Sequence, residues 1–325
     1  MEKSRLKLTL DNSSESQAFL EFYKAWNDII PTVYFLDICC ISNIKNKEKY
    51  INESERFKNK YDFLKLLEEI DLPHNAISCL PAMMEKVSDR FNDKSRDELK
   101  EEVGRDLEAL NGFFKKARVI EKVEFTESYV EEMKNEHPEA TGENYHNFLF
   151  YVNSLGLANT LPPAKKLAVA KQVIEKSGEF SIDKLSAVVV TALACIYGCI
   201  PAKKVMKFKD DQDKFNSSNA LADIQTVSRI GKLSKEIESK ARLGQARYVR
   251  TTFMTDDDNL KKLYDYFFVN DVIKEDTETG VNHRIKVTIE GYLLFPDLFD
   301  YKDAEDEVKK QNEYTELLKL MGLPV

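Results

Sequence analysis

Four carboxylates are the residues of this chain best placed for chemistry: Asp37, Glu85, Asp223 and Asp257. Asp37 closes the run Val33-Tyr34-Phe35-Leu36, and Asp257 follows Phe253-Met254-Thr255-Asp256, so an apolar or β-favouring segment leads towards each acid. In a parallel α/β sheet the carboxyl ends of the strands face a common crevice. Carboxylates gathered there repel one another unless a cation neutralises them. Hard cations such as Mg2+ or Mn2+ take oxygen ligands and keep several waters, which suits a loose carboxylate cluster. The chemistry expected is attack on a phosphodiester by metal-activated water. Asn219 and Asp223 lie one helical turn apart and can face one point as auxiliary and ligand, with Asp256 the alternative to Asp257.

These acids need elements to hold them. Thr32–Leu36 reads as a buried strand and residues 76–80 as a second, bounded by Pro73 and Pro81. Pro81 suits the first turn of a helix whose apolar face is Met83, Met84 and Val87, and Glu85 rides on that helix. Residues 94–178 read as predominantly helical, broken near His137-Pro138 and Leu161-Pro162-Pro163, with no strand expected. Ser181 or Asp183 would cap the following apolar helix. Asn216-Ser217-Ser218 would cap a helix with Leu221, Ile224, Val227 and Ile230 at helical spacing. Residues 248–254 return to strand character. Residues 266–273 and 284–289 read as late strands joined through Glu278-Thr279-Gly280, and residues 303–321 as a charged amphipathic helix. The fold class expected is α/β, a mostly parallel central sheet flanked by helices.

The stretches Val33-Tyr34-Phe35-Leu36-Asp37, Met83-Met84-Glu85, Ala222-Asp223-Ile224 and Thr255-Asp256-Asp257-Asp258-Asn259-Leu260 together resemble the PIN-like metal-dependent nucleases. That family places an aspartate at the end of its first strand, an acid on a middle helix, and later aspartates around one metal crevice. Threonine, any residue, aspartate is its fourth motif, which favours Asp257 over Asp256. Ile38 and Cys39 stand where the family often has threonine or serine and then asparagine. The resemblance covers residues 32–90 and 181–263. It divides the chain into a first part of a PIN-like domain (1–93), a large helical insertion (94–180) and a second part with a C-terminal extension (181–325). It implies an endoribonuclease with Asp37, Asp223 and Asp257 holding Mg2+ or Mn2+, Glu85 completing the shell and RNA as substrate. It also implies an inhibitor or regulatory protein to restrain the activity. A catalytically degenerate scaffold binding protein partners or RNA is the alternative.

Composition bounds these readings. Lys and Arg number 48 against 56 acids, a net charge of −8, which argues against a general polyanion-binding surface. A local basic track is available: Lys203, Lys204, Lys207 and Lys209 precede the third motif, and Arg242, Arg247 and Arg250 precede the fourth with Tyr248 interleaved. Lys207, Arg247 and Arg250 are the expected contacts to a single-stranded nucleic acid. The uncharged run 185–202 is at the short limit of membrane-spanning length but contains Ser186, Thr191, Gly198 and Pro201, so a buried core helix is expected and no membrane. Five cysteines in apolar segments fit free thiols of a cytoplasmic protein. Cys195 and Cys199 are one turn apart, without a nearby histidine to complete a zinc set. A haloacid-dehalogenase-type phosphohydrolase would need a second acid two residues after Asp37, where Cys39 stands.

Overall fold

The computed structural model describes residues 13–92, 94–277 and 280–324. Four strands form one sheet: β1 (Thr32–Leu36), β2 (Ala76–Ser78), β3 (Arg118–Val119) and β4 (Arg250–Met254), in the order β3-β2-β1-β4. Every neighbouring pair is parallel, with Val33 opposite both Ala76 and Thr251. The chain moves outward from β1 to β2 and β3, then returns to add β4 on the other side of β1. Order therefore reverses between β1 and β4, and in open parallel sheets that is where the crevice outside the carboxyl ends accepts ligands.

Alternation along β1 separates the two faces of the sheet. Leu36, with Ile77 of β2, joins a core supplied by the helices Ile38–Lys45, Lys58–Glu69, Leu80–Ser88 and Arg96–Phe113. Val33, Phe35 and Ala76 face Ile230 and the later turns of the long helix Ser217–Arg242. A second, larger core surrounds Ala187–Ile196, whose residues from Val188 to Ile196 are all buried. That apolar stretch stops at Ile196; Gly198 takes φ +87°, and Ile200–Met206 continues at 119° to it. Among the described residues no single helix is long and apolar enough to cross a membrane. A separate antiparallel hairpin, β5 (Phe267–Thr277) and β6 (Gly280–Ile289), leans on the long helix, where Val269 lies over Gly231. The turn expected at Glu278-Thr279 falls outside the described residues.

Two expectations need correction. The segment 94–178 does contain a strand: β3 is the sheet's edge, and the Arg96–Phe113 helix before it packs in the same core as β2. Two residues of strand carry no readable alternation. Neighbours fix them instead: the Arg118 and Ile120 N–H groups donate to the Asn75 and Ile77 carbonyls, and the Asp71 carboxylate accepts the N–H groups of Lys115, Lys116 and Ala117. The apolar helix is capped by Ser186, whose hydroxyl accepts from Val189 N–H, rather than by Ser181 or Asp183. Ser181 sits in the left-handed region at φ +55°. Asn216 caps its helix as expected, and Asp303, expected inside the last helix, stands just before it as the cap of Ala304–Met321.

Candidate functional site

Asp37 leaves the end of β1 and caps the next helix. Its Oδ1 accepts the Ile38 N–H at 2.8 Å, while Oδ2 accepts the Thr255 hydroxyl at 2.7 Å and the Cys39 thiol at 3.1 Å. The Asp37 N–H continues the ladder to Met254 at the end of β4. Buried Thr255 in turn accepts the Asp257 N–H at 3.1 Å, so one hydroxyl ties the first acid to the last. Asp257 caps Asp258–Asp265, its Oδ1 accepting from Asn259 and Leu260. Asp256 turns aside to Asn43 and Lys60.

Glu85 projects from Leu80–Ser88 and Asp223 from the second turn of Ser217–Arg242. Burial first, then the charges of Asp37 and Asp223, push the Glu85 carboxyl up to about 8. Arg229 and Lys207 oppose that rise. Asp223 is pushed up to about 6, again by burial first; Lys207 lowers it, and Asp37 and Asp257 raise it. Asp37 and Asp223 thus act on Glu85, and Asp37 and Asp257 on Asp223, at the switch between β1 and β4. Lys207 joins them from the end of Ile200–Met206: its ammonium donates to Asp223 Oδ2 at 2.7 Å and Asn219 Oδ1 at 2.8 Å. It does so from a left-handed backbone, φ 52° and ψ 38°, a conformation that costs a non-glycine residue about 1 kcal/mol.

In donor type this crevice fits Mg2+ or Mn2+: the acids offer only oxygen, and Glu85 retains at neutral pH a proton that a divalent cation would displace. In spacing the acids stand apart, and among the described residues no three His, Cys, Asp or Glu side chains group as metal ligands. The reason is local. Asp37 and Asp257 each spend an oxygen on a helix cap, and Lys207 takes Asp223.

Comparison of the chain with protein-family models, curated proteins and solved structures finds no match. The assignment of the crevice rests on its own geometry.

That geometry leaves Asp37, Glu85, Asp223, Asp257 and Asn219 around one crevice without grouping the acids as ligands, and it moves the expected substrate contacts. Lys207 is an ion-pair partner inside the acidic cluster rather than part of an open track. Arg250 begins β4 opposite Thr32, to whose hydroxyl it donates at 2.9 Å, and Arg247 reaches the Pro73 carbonyl at 3.4 Å. Both mark the amino-terminal edge of the sheet, roughly 13 Å along the strand from the crevice. Cys195 and Cys199 are buried thiols, both pushed up by burial.

Sequence reasoning assigned no role to several residues that shape the site. Thr255 appears in the Thr-x-Asp motif, yet its part as a hydroxyl bridge needs the β1–β4 pairing. Cys39 accepts the Asp256 N–H at 3.1 Å. Arg229 is buried, binds Glu139 through both Nε and Nη2, and reaches the Ser88 hydroxyl on the Glu85 helix. Its one legible signal is a lone arginine among Ile224, Val227 and Ile230, where a buried cation needs a partner.

Proposed function

We propose that the crevice between β1 and β4 binds Mg2+ or Mn2+ and hydrolyses RNA phosphodiester bonds. The observation that carries this reading is the placement of four acids at the topological switch point, where burial first, and then the charges of Asp37 and Asp223, push the Glu85 carboxyl up to about 8. Asp37, Asp223, Asp257 and Glu85 would hold the cation, which supplies charge neutralisation and a water activated as nucleophile. Thr255 fixes the orientation of Asp37 and spaces it from Asp257. Asn219 holds Lys207 beside Asp223, so a cation taking Asp223 leaves that ammonium free to contact a phosphate oxygen. RNA as the substrate class, and a restraining protein partner, follow from the resemblance to PIN-like nucleases.

The test is cleavage of labelled single-stranded RNA by purified protein with manganese or EDTA, beside Asp37→Asn and Asp257→Asn. Manganese-dependent cleavage reduced by about 100-fold or more in both variants is the expected result, the scale of losing a group that acts on the transition state. Full activity in both folded variants would sink the proposal.

One observation favours a second reading, a degenerate scaffold: Lys207 already supplies the cluster with a cation. Manganese separates the two. A cation site raises the melting temperature with added manganese, and Lys207→Met strengthens that response. A scaffold shows no shift in either protein.

A further inference from the structure

Two acids at the crevice each carry a lysine. The Lys60 ammonium, from the first turn of Lys58–Glu69, donates to Asp256 Oδ2, which buried Asn43 also reaches at 2.7 Å. The Asp256 N–H meets Cys39 Sγ and the Cys39 thiol donates to Asp37, so this pair leads back to the first acid. Lys207 holds Asp223. The lysines arrive from opposite faces of the sheet. Leu64 and Leu67 of the Lys60 helix share the core of Leu36. Met206, beside Lys207, shares the larger core with Leu221 and Ile224 of the long helix, and Ile230 of that helix covers Val33 and Phe35 on the other face.

In both pairs the acid is the buried member. The side chains of Asp256 and Asp223 are 12% and 10% exposed, those of Lys60 and Lys207 40% and 37%. Neither ammonium is used up, because each has three N–H donors. Lys207 gives two, to Asp223 and Asn219, and among the described residues Lys60 gives one, to Asp256. On a chain of net charge −8, local cations of this kind are what a polyanion needs to approach.

We propose that Lys60 and Lys207 form a phosphate clamp, and that an RNA strand crosses the carboxyl edge of the sheet from one face to the other between them. The inference rests on the hydrolytic reading of the crevice and adds the course of the substrate. The scissile phosphodiester lies over the acids, with a neighbouring phosphate against each lysine. The substrate is therefore a strand of at least three consecutive phosphates, not a mononucleotide. Ammonium contacts to phosphate position a strand without reading its bases, so the clamp is indifferent to sequence.

The test is the salt dependence of binding, read by fluorescence anisotropy with labelled single-stranded 12-mers of uridylate and of adenylate. Calcium replaces manganese, and the RNA is checked intact afterwards. Each phosphate contact on a single strand contributes about 0.7 to the slope of log affinity against log salt. Lys60→Gln and Lys207→Gln, which keep a donor for the acid but no charge, should each make the slope shallower by about 0.7, alike for both sequences. That corresponds to affinity about 5-fold weaker at 0.1 M salt. Lys60→Arg and Lys207→Arg should restore the slope, an outcome that loss of a merely structural pair does not predict. Lys116→Gln, just before β3 at the amino-terminal edge, should leave it unchanged. Shallower slopes without manganese-dependent cleavage would keep the clamp and remove the nuclease. Cleavage with parental slopes in both glutamine variants would overturn the clamp alone, as would an equal change in Lys116→Gln or no binding of either 12-mer.

Discussion

Glu85 shows what crowding does to a single acid. Its folded carboxyl holds a proton up to about 8 against an ordinary value of 4.5, so the native state binds that proton more tightly than the unfolded chain. The stability gained is complete below 4.5 and is lost as pH rises through about 8. Asp223 acts in the same sense between 3.8 and about 6. In EDTA, the melting temperature should therefore fall as pH climbs from about 5 to about 8. Glu85→Gln, with no proton to lose, should flatten the fall above pH 6 and lessen it below, where Asp223 still contributes. A melting series showing the same slope in both proteins would remove Glu85 from the cluster. Lys207 is the other residue whose setting matters: sixteen positions before Asp223, it meets that acid from a left-handed backbone. No pattern of residue types announces such a turn at lysine, so its placement beside the other basic residues suggested an open track.

Elements with local signals were legible. β1 runs over the same residues that its β-branched and aromatic run suggests, β4 ends at Met254 as expected, and Asn216 caps the long helix as its side chain predicts. Elements defined by their neighbours were not. β3 exists because Asp71 and Asn75 present acceptors to it, and Arg247 and Arg250 misled because residues close in sequence to a strand's acid can sit at its far end. The long helix and the hairpin meet at a point the sequence does not mark either. A Cβ on Gly231 would stand 2.6 Å from Val269 Cγ2. Gly231→Ala gains about 1 kcal/mol of helix propensity but overpacks by about 1–3 kcal/mol, so a net loss of roughly 1 kcal/mol is expected in urea denaturation. Adding Val269→Ala should recover the overpacking share; equal losses in single and double variants would contradict the contact.

At the scale of the whole molecule, Arg229 joins the two cores. It sits on the long helix, pairs with Glu139 of the short helix Pro138–Thr141 and touches Ser88 at the end of the Glu85 helix. Breaking a buried ion pair from one side leaves a charge unmatched, so Arg229→Met should lower stability by about 3 kcal/mol, measured by urea denaturation. It should also lift the Glu85 carboxyl further by removing a cation that holds it down. A loss within ±0.5 kcal/mol, typical of surface sites, would show that the pair does not bind the cores. The larger core has a further consequence, on the ribosome. Ala187–Ile196 leaves the exit tunnel after Pro163–Glu179, which covers one side of it, but before its other partners: Ser217–Arg242 follows it, and Phe295, edge-on to Tyr197 at 6.0 Å, comes about 100 residues later. At translation speeds of about 5–20 residues per second, this apolar helix waits roughly 5–20 s for that partner, with its far side open to a nascent-chain chaperone meanwhile.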